Sequence, residues 1–223
     1  MRTVTGYPGS FQKMGLEVFE KYECDGQMEI NDLKGESRKV DNKTASRITG
    51  GNTAYKRNES DFYPTPPEAT QALLDFMNID RELIIWEPAC GEGHMLSTMR
   101  DNGYVAVGTD INTGHDYLST PLLDCDWIIT NPPFSESQAF IERSIQHHKP
   151  FALLLKSQYW HAKKRYELFN HYKPQYVLPL TWRPDFLFKT RGSGSPLMDV
   201  IWVVWGEESA DQTFYIPLQK PEC

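Results

Sequence analysis

Leu83-Ile84-Ile85-Trp86-Glu87-Pro88-Ala89-Cys90-Gly91-Glu92-Gly93 begins as a strand and ends as a glycine turn. Its first four residues form a continuous apolar run of strand length. That is the pattern of a parallel strand buried on both faces. The run stops at an acid, and the turn that follows carries two glycines two positions apart. There the backbone can approach a ligand more closely than any side chain would allow. Glycine turns after strands are common, and taken alone a plain turn explains this piece better than a ligand site does.

The pattern on either side is regular. Upstream, Tyr63-Pro64-Thr65-Pro66-Pro67 is extended, because each proline disfavours helix at the residue before it. Thr65 is placed to cap a helix, with Pro66 at its first position and Glu68 at its third. Ala69, Leu73, Leu74, Phe76 and Met77 then fall on one stripe. Downstream, the spacing predicts a short helix over 94–100 and strands over 104–107, 126–130 and 151–155. Longer helices are predicted over 135–148, capped by Ser135, and over 162–172. Residues 176–180 and 200–205 read as strands joined through a glycine-rich loop. The expected fold is α/β: a mostly parallel sheet with helices on both faces and an antiparallel C-terminal edge hairpin. Residues 61–223 form this domain. Residues 1–60 are polar, with one short amphipathic element near Phe11 to Phe19 and a breaker at Gly50-Gly51-Asn52, and read as a partly mobile extension of unassigned function.

Bulk properties narrow the class. In 223 residues, 39% hydrophobic and 13% aromatic content suffices for a packed core. No apolar run approaches the roughly 18 residues that span a bilayer, and the first residues do not resemble a secretory signal. The expectation is a cytoplasmic chain with no membrane role. Cys24, Cys90, Cys125 and Cys223 lack metal-ligand spacing and read as reduced thiols, so no metal site is expected. The net charge of −7 is unevenly spread. Residues 34–58 hold seven basic residues against two acids, and residues 156–191 hold eight against two. The intervening 61–155 hold fourteen acids against four basic residues. Two solvated faces explain such runs unless a site lies between them.

Three strands end in chemistry, and in an open α/β sheet those ends share one edge. Beside the glycine turn, Glu87 and Glu92 would repel a phosphate. They suit a cationic ammonium, such as that in the methionine part of S-adenosylmethionine. Asp110 ends the second strand and can accept both hydroxyls of a ribose, or instead cap a turn with Asn112. Asp116 could meet an adenine amino group.

The third end is Asn131-Pro132-Pro133-Phe134. An exocyclic base amine is a weak nucleophile because its lone pair is conjugated into the ring. Two acceptors that draw its hydrogens out of the ring plane make it more tetrahedral. The Asn131 side-chain oxygen and the Pro132 carbonyl suit that task, and consecutive prolines hold the backbone still. Phe134 can stack on a planar base. Amine methylation yields a strongly acidic cation, so no histidine is needed as a base. His94, His115, His161 and His171 read as structural or surface residues. Tyr159 and Trp160 either line a base pocket or pack in the core.

Tyr63-Pro64-Thr65-Pro66-Pro67, Trp86 to Met95, Gly108-Thr109-Asp110 and Thr130 to Ser135 stand in the order found in amino-group DNA methyltransferases. Together they resemble the small adenine-N6 enzymes of phages and prophages, over roughly residues 61–206. The resemblance implies a Rossmann-like methyltransferase fold with S-adenosylmethionine as cofactor, and DNA adenine as the substrate, flipped out of the duplex. It implies Tyr63, Thr65 and Pro66 near the cofactor, and Glu87, Ala89 and Gly91 around its methionine moiety. Asp110 would hold the ribose and Asp116 the adenine, with Pro88, Cys90, Gly93, Ile111, Tyr117 and Asn131 completing the cofactor set. Asn131, Pro132, Pro133 and Phe134 would be catalytic. It also implies the cytoplasm of a bacterial host if the chain is phage-encoded, and a link to restriction-modification chemistry. No stretch after Phe134 resembles a target-recognition domain. N4-cytosine, an RNA base or a protein glutamine meets the same two acceptors, and a catalytically silent cofactor-binding regulator is the reading from another class.

Overall fold

The computed structural model describes residues 63–186 and 198–222. Helix α1 (Pro67–Met77) is followed by β1 (Ile84–Glu87), α2 (His94–Asp101), β2 (Val105–Gly108) and a 3-10 turn, Ile111–Thr113. Then come β3 (Trp127–Thr130), α3 (Ser137–Gln146), β4 (Phe151–Lys156) and the 3-10 turns Ser157–Trp160 and Lys163–Arg165. Helix α4 (Tyr166–His171) and strands β5 (Tyr176–Pro179), β6 (Val200–Trp205) and β7 (Phe214–Tyr215) complete the fold.

The seven strands form one sheet in the order β2-β1-β3-β4-β6-β5-β7. β1 pairs in parallel with β2 on one side and β3 on the other, and β3 with β4. β6 runs antiparallel to both β4 and β5. It lies between them, so the reversed strand of the C-terminal hairpin is an inner strand and β5 stands farther out. β7 adds a short parallel strand beyond β5.

Alternation along the strands builds two cores. Ile85, Ile129, Leu154 and Trp202 face α1 and α2, whereas Trp86, Ile128, Leu153 and Val203 face α3 and the segment after β4. Both faces are therefore apolar, which is why the strands read as unbroken apolar runs. The Trp202 indole donates to the Ala69 carbonyl at 2.8 Å and ties α1 to the first face.

Three helix starts differ from expectation. α1 begins at Pro67 with Pro66 in the capping position and no side-chain cap. Thr65 is buried, with its hydroxyl turned to another partner. α3 begins at Ser137, after Glu136 in the capping position and not after Ser135. The helix expected over 162–172 is a 3-10 turn and then the six-residue α4. The basic segment 34–58, the N-terminal element and the glycine-rich loop after Phe188 lie outside the described residues. No helix among those described is long and apolar enough to cross a membrane.

Candidate active site

β2 and β3 flank β1 on opposite sides, so the chain reverses its winding there and a crevice opens beyond the carboxyl ends. A cavity of about 560 Å³ occupies this place. It is walled by the turn after β1, the start of α2, the turn after β2, Asn131 to Phe134, and Tyr63 to Thr65.

The turn after β1 is held from several directions. The Cys90 N–H donates to the Thr109 carbonyl at 3.0 Å, and the Thr109 N–H donates to the Glu87 carbonyl at 2.9 Å. Gly108, at the end of β2, lets the two turns touch. A Cβ there would lie 2.8 Å from Leu96 Cδ2 and 3.0 Å from Cys90 Cβ. Gly93 starts α2 in the left-handed region, with φ +82°. Helical side chains lean toward the N-terminus of their helix, so His94 and Met95 overhang the cavity.

Glu87 is 2% exposed, and its Oε2 has no hydrogen-bond partner among the described residues. Burial holds its carboxyl well above the usual carboxylate range. The nearby Asp110 adds to the rise, while a Leu96 backbone hydrogen bond and Arg100 oppose it. Asp110 is buried as well. Its Oδ2 accepts from the Gly91 N–H at 2.8 Å, and its Oδ1 accepts from the Asn112 backbone and side-chain nitrogens at 2.9 and 2.8 Å. Asp110 thus caps the turn after β2 and ties it to the glycine turn.

Asn131 is oriented from across the crevice. Its Nδ2 donates to the Tyr63 carbonyl at 3.1 Å and to Thr65 Oγ1 at 3.0 Å. Both amide hydrogens are thereby used, and Oδ1 is left buried without a partner. Phe134 lies 5.5 Å from the Tyr63 ring, tilted by 34°. Lys156, at the end of β4, sits over Phe134 with Nζ 4.3 Å from the ring centre.

Of the expected residues, the cavity brings together Tyr63, Thr65, Glu87, Ala89, Cys90, Gly91, Asp110, Ile111, Asn131, Pro132, Pro133 and Phe134. Pro66 and Gly93 stand in the capping positions of α1 and α2, Pro88 follows the end of β1, and none of the three lines the cavity. Asp116 and Tyr117 are not among the residues that line the cavity. Asp116 accepts from the Leu118 N–H at 3.0 Å and the Ser119 hydroxyl at 3.1 Å. Tyr117 is 2% exposed, bonded to Ser144 Oγ at 2.7 Å and packed on Trp86 and Phe140. Pro64, Glu92, His94, Met95 and Asn112 line the cavity as well. Glu92 is the second of the two acids expected to suit a cationic ammonium, and the other four lie within two positions of an expected cofactor residue. Tyr159 is 8% exposed and belongs to the core. Cys90 and Cys125 are free thiols. No cluster suited to a metal ion occurs among the described residues.

No protein-family model matches the sequence, and no curated protein matches it. Solved structures do. One is a class I S-adenosylmethionine-dependent methyltransferase structure from Listeria monocytogenes, similar over 72% of this chain and 67% of its own, at 15% identity and a TM-score of 0.50. Another is the methyltransferase subunit of a type I restriction-modification system from Streptococcus thermophilus. It is similar over 70% of this chain and 47% of its own, at 13% identity and a TM-score of 0.50. This chain therefore spans about half the length of the second. The similarity is one of fold: a Rossmann-like methyltransferase fold, mostly parallel, with helices on both faces.

The first of these structures is named for its dependence on S-adenosylmethionine, and the lining of this cavity is compatible with that molecule. A buried carboxylate oxygen without a partner, at Glu87, calls for a cation or a strong donor, which the amino-acid end of that molecule carries. The glycine turn leaves the backbone bare beside it.

Proposed function

We propose that the chain transfers a methyl group from S-adenosylmethionine to the exocyclic N6 amine of adenine in DNA, after the base is flipped from the duplex. The observation that carries the reading is the orientation of Asn131. Tyr63 and Thr65 take both hydrogens of its amide, so Oδ1 can only accept. A buried acceptor without a partner, lining a cavity, waits for an N–H.

Glu87 and the glycine turn would hold the amino-acid end of the cofactor, and Asp110, besides capping its turn, would offer the remaining acceptor site of Oδ2 to a ribose hydroxyl. When bound, the cofactor supplies an electrophilic methyl group on a sulfonium. The remaining steps belong to the chain. The Pro133 carbonyl accepts from the Glu136 N–H at 2.9 Å, which leaves the Pro132 carbonyl as the second acceptor for the amine. Asn131 Oδ1 and Pro132 O draw the two hydrogens out of the ring plane and stabilise the charge that develops on nitrogen. Phe134 offers a face to the base. The proton leaves from the cationic product directly, with no dedicated base.

The choice of adenine in DNA rests on the resemblance of Trp86 to Met95 and Thr130 to Ser135 to adenine-N6 enzymes. The test is incubation of the full chain with unmethylated DNA and methyl-labelled cofactor, then digestion to nucleosides. Label in N6-methyl-2′-deoxyadenosine, abolished in Asn131→Ala, is the expected result. Label in N4-methylcytosine, or in RNA alone, would keep the amine chemistry and replace the substrate. No binding of S-adenosylmethionine by calorimetry would overturn the reading altogether.

A further inference from the structure

A second groove lies beside α4. Trp160, Ala162, Lys163, Arg165, Tyr166, Phe169 and Asn170 line it, with a volume of about 470 Å³. Its floor is aromatic: Trp160 and Phe169 pack with ring centres 4.2 Å apart. Tyr166 is 65% exposed. Its rim is cationic. The Arg165 guanidinium lies 3.7 Å above the Tyr159 ring and donates to the Tyr159 carbonyl at 2.6 Å, which pins it in place. Lys163 is exposed.

The groove is continuous in chain with the active site. Lys156 sits on Phe134, and the 3-10 turn Ser157–Trp160 starts at the next residue. That turn advances about 8 Å from Lys156 to Trp160. The charges are segregated: Glu87, Glu92 and Asp110 line the cavity, whereas Lys163 and Arg165 line the groove. A polyanion is repelled by the first set and attracted by the second.

We infer that this groove takes an unpaired nucleotide of the substrate strand next to the target base, stacking it on Tyr166 and Trp160 and holding its phosphate at Lys163 and Arg165. The inference rests on the nucleic-acid reading above. Phosphate alone would need only the cations. Exposed ring faces add affinity for a base only when that base is unstacked, and a paired flanking base has no free face. The enzyme therefore favours single-stranded or locally opened DNA over intact duplex.

The test uses the full chain and a fluorescent single-stranded oligodeoxynucleotide containing one adenine, alongside its duplex form, with binding read by anisotropy and methyl transfer read separately. Single strand should bind more tightly than duplex. Tyr166→Ala should weaken single-strand binding about tenfold, and Lys163→Gln should lower the slope of log affinity against log salt by about 0.7. Both variants should keep kcat at saturating oligonucleotide. Tyr215→Ala, an equally exposed tyrosine on β7 (69% exposed), should change nothing. Unchanged binding in both groove variants, as a groove reserved for a protein would give, or equal binding of the two DNA forms, overturns the inference while leaving methyl transfer intact. Failure of the unaltered protein to bind or methylate either form overturns the substrate reading as well.

Discussion

Thr65 accepts a hydrogen bond from the Asn131 side chain at 3.0 Å, across 66 positions of sequence. A threonine expected to cap its own helix instead orients the acceptor at the heart of the crevice. Thr65→Val keeps the shape and removes the acceptor. The amide of Asn131 then loses one of two constraints, and the hydrogen left unbonded is buried. The expected result is a fall in kcat of about tenfold with little change in the KM for cofactor. Thr65→Ser should restore most of it. Asn131→Ala, which removes the acceptor itself, should cost about 10²- to 10³-fold. Steady-state kinetics on a defined oligonucleotide checks all three.

Glu87 is held against its preference. Burial raises its carboxyl well above the ordinary range, so at neutral pH the cofactor-free fold bears the cost of keeping a buried acid there, either by desolvating its charge or by taking up a proton. A raised acid favours the folded state as pH falls, because the fold then binds the proton more readily than the unfolded chain. Glu87→Gln should therefore raise the melting temperature of the cofactor-free protein at neutral pH. The same change removes a charged acceptor and should weaken S-adenosylmethionine binding by about 10- to 100-fold. Calorimetry and thermal melts at neutral pH give the two signs. A Gln variant that melts lower would refute the account of Glu87.

The strands and the carboxyl edge were legible because burial on both faces leaves unbroken apolar runs, as at Leu83 to Trp86 and Val200 to Trp205. Tetrapeptides such as Asn131-Pro132-Pro133-Phe134 were legible because few structural demands call for that combination. What stayed hidden was long-range. Thr65 before Pro66-Pro67 has every local mark of a cap, and only the partner 66 positions away redirects its hydroxyl. Asp116 and Tyr117 follow Asp110 closely in sequence, but Asp116 accepts from Leu118 and Ser119 and Tyr117 packs into the second core, contacts that no local pattern announces. β7 is two residues long, too short for any periodicity. The inner position of β6 depends on which neighbour the strand chooses, a matter of pairing that no single strand's pattern specifies.

Tyr117 separates a core role from a cofactor role. Its hydroxyl bonds to Ser144 Oγ at 2.7 Å inside the second core, and Ser144 in turn donates to the Phe140 carbonyl at 2.8 Å. Tyr117→Phe removes one buried hydrogen bond and leaves the ring packing on Trp86 and Phe140 intact. The expected cost is about 1 kcal/mol of stability in denaturant melts. Affinity for S-adenosylmethionine should stay unchanged, and a loss of binding at unchanged stability would return Tyr117 to the site.

His147 ends α3 against the same cluster, with ring centres 6.0 Å from Trp86 and 5.6 Å from Tyr117. Burial, and then the Arg143 charge, lower its pKa to about 4. The folded state therefore keeps the imidazole neutral through a range where the unfolded chain protonates it. A base with a depressed pKa contributes its full stability above the unfolded value of about 6.5. That contribution is lost progressively as pH falls toward 4, because the unfolded state binds the proton first. The melting temperature should drop by several degrees (about 2–4 °C per kcal/mol for a chain of this size) between those limits. His147→Phe keeps an aromatic ring on Trp86 and Tyr117 without the titrating nitrogen, and should flatten that part of the pH profile while the carboxylates still titrate. An unchanged slope between pH 6.5 and 4 in the variant would assign the acid sensitivity to groups other than His147.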